Sequence, residues 1–256
     1  MVIEILKGIF IGIALVLPGL SAGTVILILG FYYRFLDDLA SLRLKAYLPL
    51  FAGTATGVLV SVYLVGFLLE HFNNLITAFI LGMLLASIPA VIHFKRGSPL
   101  KPLPLLLAAA GFYISWFIIC EPSQTFTVLP PGGYFHFFLG GTLASATMLL
   151  PGISGSAVLI ILNLYDDVIM AVSQWQWIRL FFLGCGFLVG LFGLARLLSA
   201  FYRRYRTAIS FLLGGLILGS TRALLPVSFS FSCIFWAAAG ALLVLWLTRR
   251  RIGLGE

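Results

Sequence analysis

One short stretch of this chain occurs twice. Leu17-Pro18-Gly19-Leu20-Ser21-Ala22-Gly23-Thr24-Val25-Ile26-Leu27-Ile28-Leu29 returns as Leu150-Pro151-Gly152-Ile153-Ser154-Gly155-Ser156-Ala157-Val158-Leu159-Ile160-Ile161-Leu162. Tyr32 and Tyr165 continue the register. Each copy is an apolar run that stops at Pro-Gly, exposes small and hydroxyl residues, and resumes as an apolar run. Proline removes a helical hydrogen bond and glycine tolerates the turn, so each copy predicts one helix in, a break, and a second helix out.

The solvent around those helices follows from composition. Hydrophobic residues make up 61% of the chain and charged residues 9%, against roughly 45–50% and 25% in soluble domains. The chain reads as an all-α polytopic membrane protein. Its formal net charge of +8 lies in short basic clusters between apolar runs, where loops on the cytoplasmic side are expected to carry it. No basic stripe interleaved with aromatics forms a continuous face, so nucleic acid is not an expected partner. Cys120, Cys185 and Cys233 are far apart and lack metal-ligand spacing, and no histidine pair has one either. No cofactor is expected.

Two inverted repeats are expected, over residues 1–125 and 134–256. The first has a re-entrant hairpin over 2–36, with arms Val2 to Leu17 and Ala22 to Leu36, and spans over 48–69, 75–91 and 102–120. The second has a hairpin over 134–171, with arms Tyr134 to Leu150 and Gly155 to Ala171, and spans over 180–200, 208–225 and 229–247. Each hairpin arm has about 15 residues, short of the roughly 20 needed to cross the hydrocarbon. Glu70, His71, Asn73 and Asn74 read as a polar turn, and Glu121 to Gly133 as the boundary between halves. The N-terminus has the charge and small residues of a secretory signal, but the same Pro-Gly-x-Ser pattern recurs internally, so residues 1–36 are read as mature structure.

Charge orients this layout. Placing Arg249 to Arg251 in the cytoplasm puts Arg203 to Arg206, Lys95 to Lys101, Arg43, Lys45 and both termini there too. Each half holds an odd number of crossings, so the halves are inverted and their two tips approach each other near the membrane midplane. Broken helices in inverted repeats are a transport-site design. Helix N-termini leave N–H groups unpaired and favour anions. Ser21, Thr24, Ser154 and Ser156 add hydroxyls, and Gly19, Gly23, Gly152 and Gly155 allow close approach. Packing and capping alone are the plainer reading of the same small residues.

Two Pro-Gly-x-Ser hairpins, each followed by an aliphatic run and a tyrosine, resemble the polyprenyl-phosphate transporter family of bacterial membranes. The resemblance covers nearly the whole chain. It implies a multi-pass protein of the cytoplasmic membrane that returns undecaprenyl phosphate from the outer to the inner leaflet, for reuse in cell-wall and surface-polymer synthesis. The phosphate-binding set at the tips is then Pro18, Gly19, Ser21, Gly23, Thr24, Pro151, Gly152, Ser154, Gly155 and Ser156. Arg222, late in the crossing over 208–225 and near the outer leaflet, reads either as a bidentate receiver of the lipid phosphate or as a snorkelling interfacial arginine. The usual first motif reads Pro-Gly-x-Ser-Gly-Gly-Thr. Here Ala22 replaces a glycine, and Ala157 lacks the threonine hydroxyl.

Two rivals use the same features. Undecaprenyl-pyrophosphate phosphatases resemble this chain in their hairpins, but their Pro-Gly-x-Ser-Arg-Ser-Gly motif and Glu-Glu-x-x-x-Glu cluster are missing here, so enzymatic hydrolysis is not expected. A transporter of a small soluble anion would need a wetter path than helices of Leu, Ile, Val, Phe and Gly provide. Arg196 reads as a snorkelling side chain, His93 and His136 as interfacial, and Asp37, Asp38, Asp166 and Asp167 as loop caps. Glu70 and His71 read as an exposed turn. Moving an anion inward against an inside-negative potential costs about 2.3 kcal/mol per charge per 100 mV, so coupling to H⁺ or another cation is expected. The sequence leaves the oligomeric state open, a homodimer included.

Overall fold

The computed structural model describes residues 1–17, 20–92, 102–119, 133–225 and 230–252. Among them all regular structure is helical. Pro18, Gly19, His93, Lys95, Arg96, Lys101, Cys120 and the expected boundary loop up to Gly132 lie outside the described residues.

The first arm is α1, Val2–Val16. The return arm is not the single helix expected over 22–36. It is a short helix α2, Ala22–Ile28, then a bend, then α3, Tyr32–Ala40. The second copy repeats this: α6 (Tyr134–Leu149), α7 (Gly155–Ile161) and α8 (Tyr165–Ser173), with α7 and α8 meeting at 107°. The breaks come from left-handed residues at matching places, Gly30 (φ 72) and Asn163 (φ 53), two residue types for which that conformation is cheap. Leu42 (φ 58) and Trp175 (φ 54) also match, each just after α3 or α8.

Helix α4, Leu48–Val91, contains two of the expected crossings. At 44 residues it would run about 66 Å if straight, about twice the hydrocarbon thickness. Its backbone leaves helical geometry at Phe72 (φ −133, ψ 30), inside the stretch expected as a polar turn. Helix α5, Pro102–Tyr113, widens into a π-helix over Ile114–Ile119. Then come α9 (Trp177–Arg204), α10 (Arg206–Ser220) with a 3₁₀ turn over Thr221–Leu224, and α11 (Phe231–Ile252). Among the described residues, Glu70–Val91, Trp177–Arg204, Arg206–Leu224 and Phe231–Arg249 are each long and apolar enough to cross a membrane. Exposed Phe181, Leu188, Val189 and Leu197 give α9 an outward apolar face, which lipid accommodates and water would penalise.

Glycines set how the helices pair. A Cβ on Gly8 would lie 2.1 Å from the Leu50 carbonyl oxygen, and one on Gly12 would lie 2.3 Å from that of Thr54. Contacts advance together along both helices, so α1 and the start of α4 run parallel at the same level. The chain between them must therefore go in and come back. Gly141 against Leu183 and Gly190 against Thr142 give α6 and α9 the same parallel pairing. Two further close pairs cross between halves: Gly82 and Gly240 join α4 to α11, and Gly111 and Gly215 join α5 to α10.

Candidate functional site

The two motif copies fold alike. Ser21 and Ser154 each precede a helix in extended backbone, at φ −105, ψ 151 and φ −97, ψ 138. The Ser21 hydroxyl accepts from the Thr24 amide at 3.2 Å, and the Ser154 hydroxyl accepts from the Ala157 amide at 3.3 Å. These are side-chain N-caps, as serine before an apolar run predicts. Each capped helix is only 7 residues long, shorter than the full arm expected. The positive potential at each tip therefore comes from local N–H and hydroxyl groups more than from a long helix dipole.

The tips touch. The Gly152 amide donates to the hydroxyls of Ser21 at 3.2 Å and Thr24 at 3.0 Å. Ser21 Oγ also lies 2.9 Å from Thr24 Oγ1 and 3.3 Å from the Leu150 carbonyl, to which it can donate. The Tyr32 hydroxyl donates to the Leu149 carbonyl at 2.8 Å. Carbonyls at the end of a helix have no intrahelical partner, and the first hairpin supplies side-chain partners for those ending α6. Gly23 and Gly152 make room. A Cβ on Gly23 would lie 2.6 Å from the Leu149 oxygen, and Gly152, at φ +82, lies against Leu216 and Ser220.

Ser21 and Thr24 are buried, at 5% and 0% exposure, and Pro151 and Gly152 are buried with them. The second tip is more open. Ser154 is half-buried and Ser156 is exposed, its hydroxyl 3.4 Å from that of Ser154. Gly155 packs against Met148 and Ala144 of α6. The matching tyrosines differ in the same sense: Tyr32 is 2% exposed and Tyr165 38%. The hydroxyls of the first tip are thus occupied by the second, whereas those of Ser154 and Ser156 bond within their own tip.

Arg222 stands in the turn after α10. Its guanidinium donates to the Trp116 carbonyl at 2.8 Å and lies over the Trp116 and Phe117 rings. The widened turn of α5 supplies that carbonyl, so Arg222 joins α5 to the end of α10. Arg196 donates to the Ala40 carbonyl at 3.2 Å, satisfying the end of α3. His136, near the start of α6, is 5% exposed, with Nε2 3.1 Å from the Leu162 carbonyl. It joins α6 to the bend after α7, and the lone histidine in an apolar run gave no sign of that. Tyr32 was visible in the sequence only as a residue that recurs.

The fold and the paired tips define a class: a helical membrane protein whose two broken hairpins meet through polar groups inside an apolar body. The chain belongs to the undecaprenyl phosphate translocase-like family, whose profile matches residues 1–101 and 49–240. It is 30% identical over 247 residues to a polyprenyl-phosphate transporter of Vibrio cholerae, covering 86% of this chain and 76% of that protein. It is 26% identical over 244 residues to a polyprenyl-phosphate transporter of Staphylococcus aureus, covering 88% and 86%. No solved structure matches at a significant level.

Proposed function

We propose that this protein is a translocase that returns undecaprenyl phosphate from the outer to the inner leaflet of the bacterial cytoplasmic membrane, with the phosphate engaged at the paired tips. The observation that carries the reading is the cluster of Ser21, Thr24, Gly152 and Tyr32 contacts between two chain breaks in a body otherwise built from apolar helices. Polar groups inside an apolar body persist only when hydrogen-bonded, and these bond one another across the two breaks. The transporter names carried by both relatives support lipid-carrier transport over hydrolysis. The membrane topology we infer has both termini and the basic clusters in the cytoplasm, which makes the two halves an inverted repeat.

The unequal tips then describe one state of an alternating cycle. The first hairpin is locked onto the second by Tyr32, while Tyr165 stands exposed. Opening the other way would exchange these roles, with the Tyr165 hydroxyl taking an α1 carbonyl as Tyr32 takes that of Leu149. Tyr165→Phe is expected to slow transport about 2- to 12-fold, the value of one net hydrogen bond, without lowering the thermal midpoint of the purified protein. Transport at the wild-type rate would remove the exchange. Inward movement of a phosphate opposes the membrane potential by about 2.3 kcal/mol per charge per 100 mV, so we further propose coupling to H⁺ or another cation.

The test is leaflet-specific access of undecaprenyl phosphate in proteoliposomes, comparing the wild type with Ser21→Ala/Ser154→Ala and with Arg222→Ala. Wild-type protein is expected to speed loss of the lipid from one leaflet, with a rate that responds to an imposed pH gradient or potential, and the variants to lose most of that activity. A wild type that leaves the lipid in place but moves a soluble anion would keep the tips as an anion site and reject the carrier lipid.

A further inference from the structure

A second polar site lies away from the tips. Between α3 and the α9–α10 junction is a cavity of about 640 Å³ lined by Tyr33, Arg34, Asp37, Asp38, Ser41, Arg43, Tyr202, Arg203 and Arg206. That is within the roughly 300–1,000 Å³ of small-molecule sites. Four guanidinium groups line it against two carboxylates, and both carboxylates are occupied. Asp37 pairs with Arg203 at 3.2 Å and accepts from the Ser199 hydroxyl. Asp38 accepts from the Tyr47 hydroxyl at 2.8 Å, with Arg34 at 3.8 Å. Asp37 and Asp38 are thus part of a cavity wall, where the sequence suggested loop caps.

The other two arginines have no carboxylate partner among the described residues. Arg206 donates to the Tyr202 hydroxyl at 2.8 Å and lies over that ring. Arg43 is exposed and its side chain forms no ion pair among the described residues. Arg206 is also the first residue of α10, whose N-cap Tyr205 provides no side-chain acceptor. The cavity therefore concentrates positive charge, bidentate donors and a helix start, the combination that suits a phosphate.

The cavity is one residue removed from the tip contact. Tyr32 bonds the second tip through Leu149, and the next residue, Tyr33, stacks on Tyr202 with ring centroids 3.4 Å apart. We infer that this cavity is a second phosphate site, taking a phosphate monoester or free phosphate between Arg43 and Arg206. As the receiving station for the lipid headgroup it rests on the proposed translocase reading. As a phosphate site it stands on its own geometry.

Phenylglyoxal labelling of the full-length protein in detergent tests it without a variant. Inorganic phosphate or farnesyl phosphate is expected to slow modification of Arg43 and Arg206, located by peptide mass spectrometry, relative to chloride at equal ionic strength. Protection by farnesyl phosphate at lower concentration than inorganic phosphate identifies a lipid headgroup, and equal concentrations identify free phosphate. In calorimetry Arg43→Gln/Arg206→Gln is expected to bind inorganic phosphate at least about tenfold more weakly, the loss of a charge-assisted hydrogen bond, while Arg249→Gln, at an exposed arginine of α11 outside the cavity, keeps that binding. Equal labelling with and without both ligands would overturn the site. If labelling is unaffected but the tip variants still abolish lipid transport, the translocase reading survives alone. Protection in a wild type that moves no lipid would leave the cavity and reject the translocase.

Discussion

Gly23→Ala is expected to slow transport by about five- to 150-fold while leaving the protein folded and in the membrane. The added methyl carbon would lie 2.6 Å from the Leu149 oxygen, 3.1 Å from its carbonyl carbon and 3.3 Å from the Met148 oxygen. All three are backbone atoms of the opposite hairpin, so no rotamer change relieves the clash. Either the tips part or α2 tilts, and both disturb the bonds from Ser21, Thr24 and Tyr32 to residues 149–152. Overpacking of this kind costs about 1–3 kcal/mol, or about five- to 150-fold in any equilibrium that needs the tips in register. Alanine favours helix over glycine, so α2 itself is not weakened. The measurement is lipid translocation in proteoliposomes, alongside the thermal midpoint of the same preparation. Transport at the wild-type rate by a normally melting variant would show that the tip contact is not part of the cycle.

The helix breaks at the two motifs and most helix boundaries could be read from the sequence because they follow from strong local signals. Pro-Gly stops an apolar helix, serine caps the next one, and apolar length counts crossings. The bend after α2 was hidden because aromatic and aliphatic residues resume directly after it. Gly30 and Asn163 are left-handed stops, but Phe31-Tyr32-Tyr33 and Leu164-Tyr165 follow them before the charges at Arg34, Asp166 and Asp167. Only their matching position in the two copies gives them away. The pairing of Asp37 with Arg203 and Ser199 joins residues from opposite halves, and periodicity contains no information on such partners. The burial of Tyr32 beside the exposure of Tyr165 could not be read at all, since the two similar sequence copies take unequal surroundings in the fold.

Helix α9 provides the second large effect, with its own internal control. It contains Gly184, Gly186, Gly190 and Gly193, and composition cannot rank them. A Cβ on Gly186 would lie 1.9 Å from the Phe138 carbonyl oxygen, and one on Gly190 would lie 2.0 Å from that of Thr142, whereas Gly184 and Gly193 meet nothing within 4 Å. In lipid, helices gain little from burying apolar surface against each other, so close backbone approach at small residues is a main source of their association. Gly186→Ala is therefore expected to separate α6 from α9 and destabilise the protein by about 3 kcal/mol or more, the upper range of overpacking, with little monodisperse protein recovered. Gly184→Ala removes only a flexible, helix-weakening residue and is expected to be neutral or to stabilise by up to about 1 kcal/mol. Thermal midpoints and size-exclusion profiles in detergent decide between them. Because α6 ends at Leu149, whose carbonyl receives Tyr32, loss of the α6–α9 seam would also release the tip contact. A partly folded Gly186→Ala preparation should then lose transport more steeply than it loses helix content. Equal melting of the two variants would mean that the α6–α9 glycine seam does not hold the second hairpin in place.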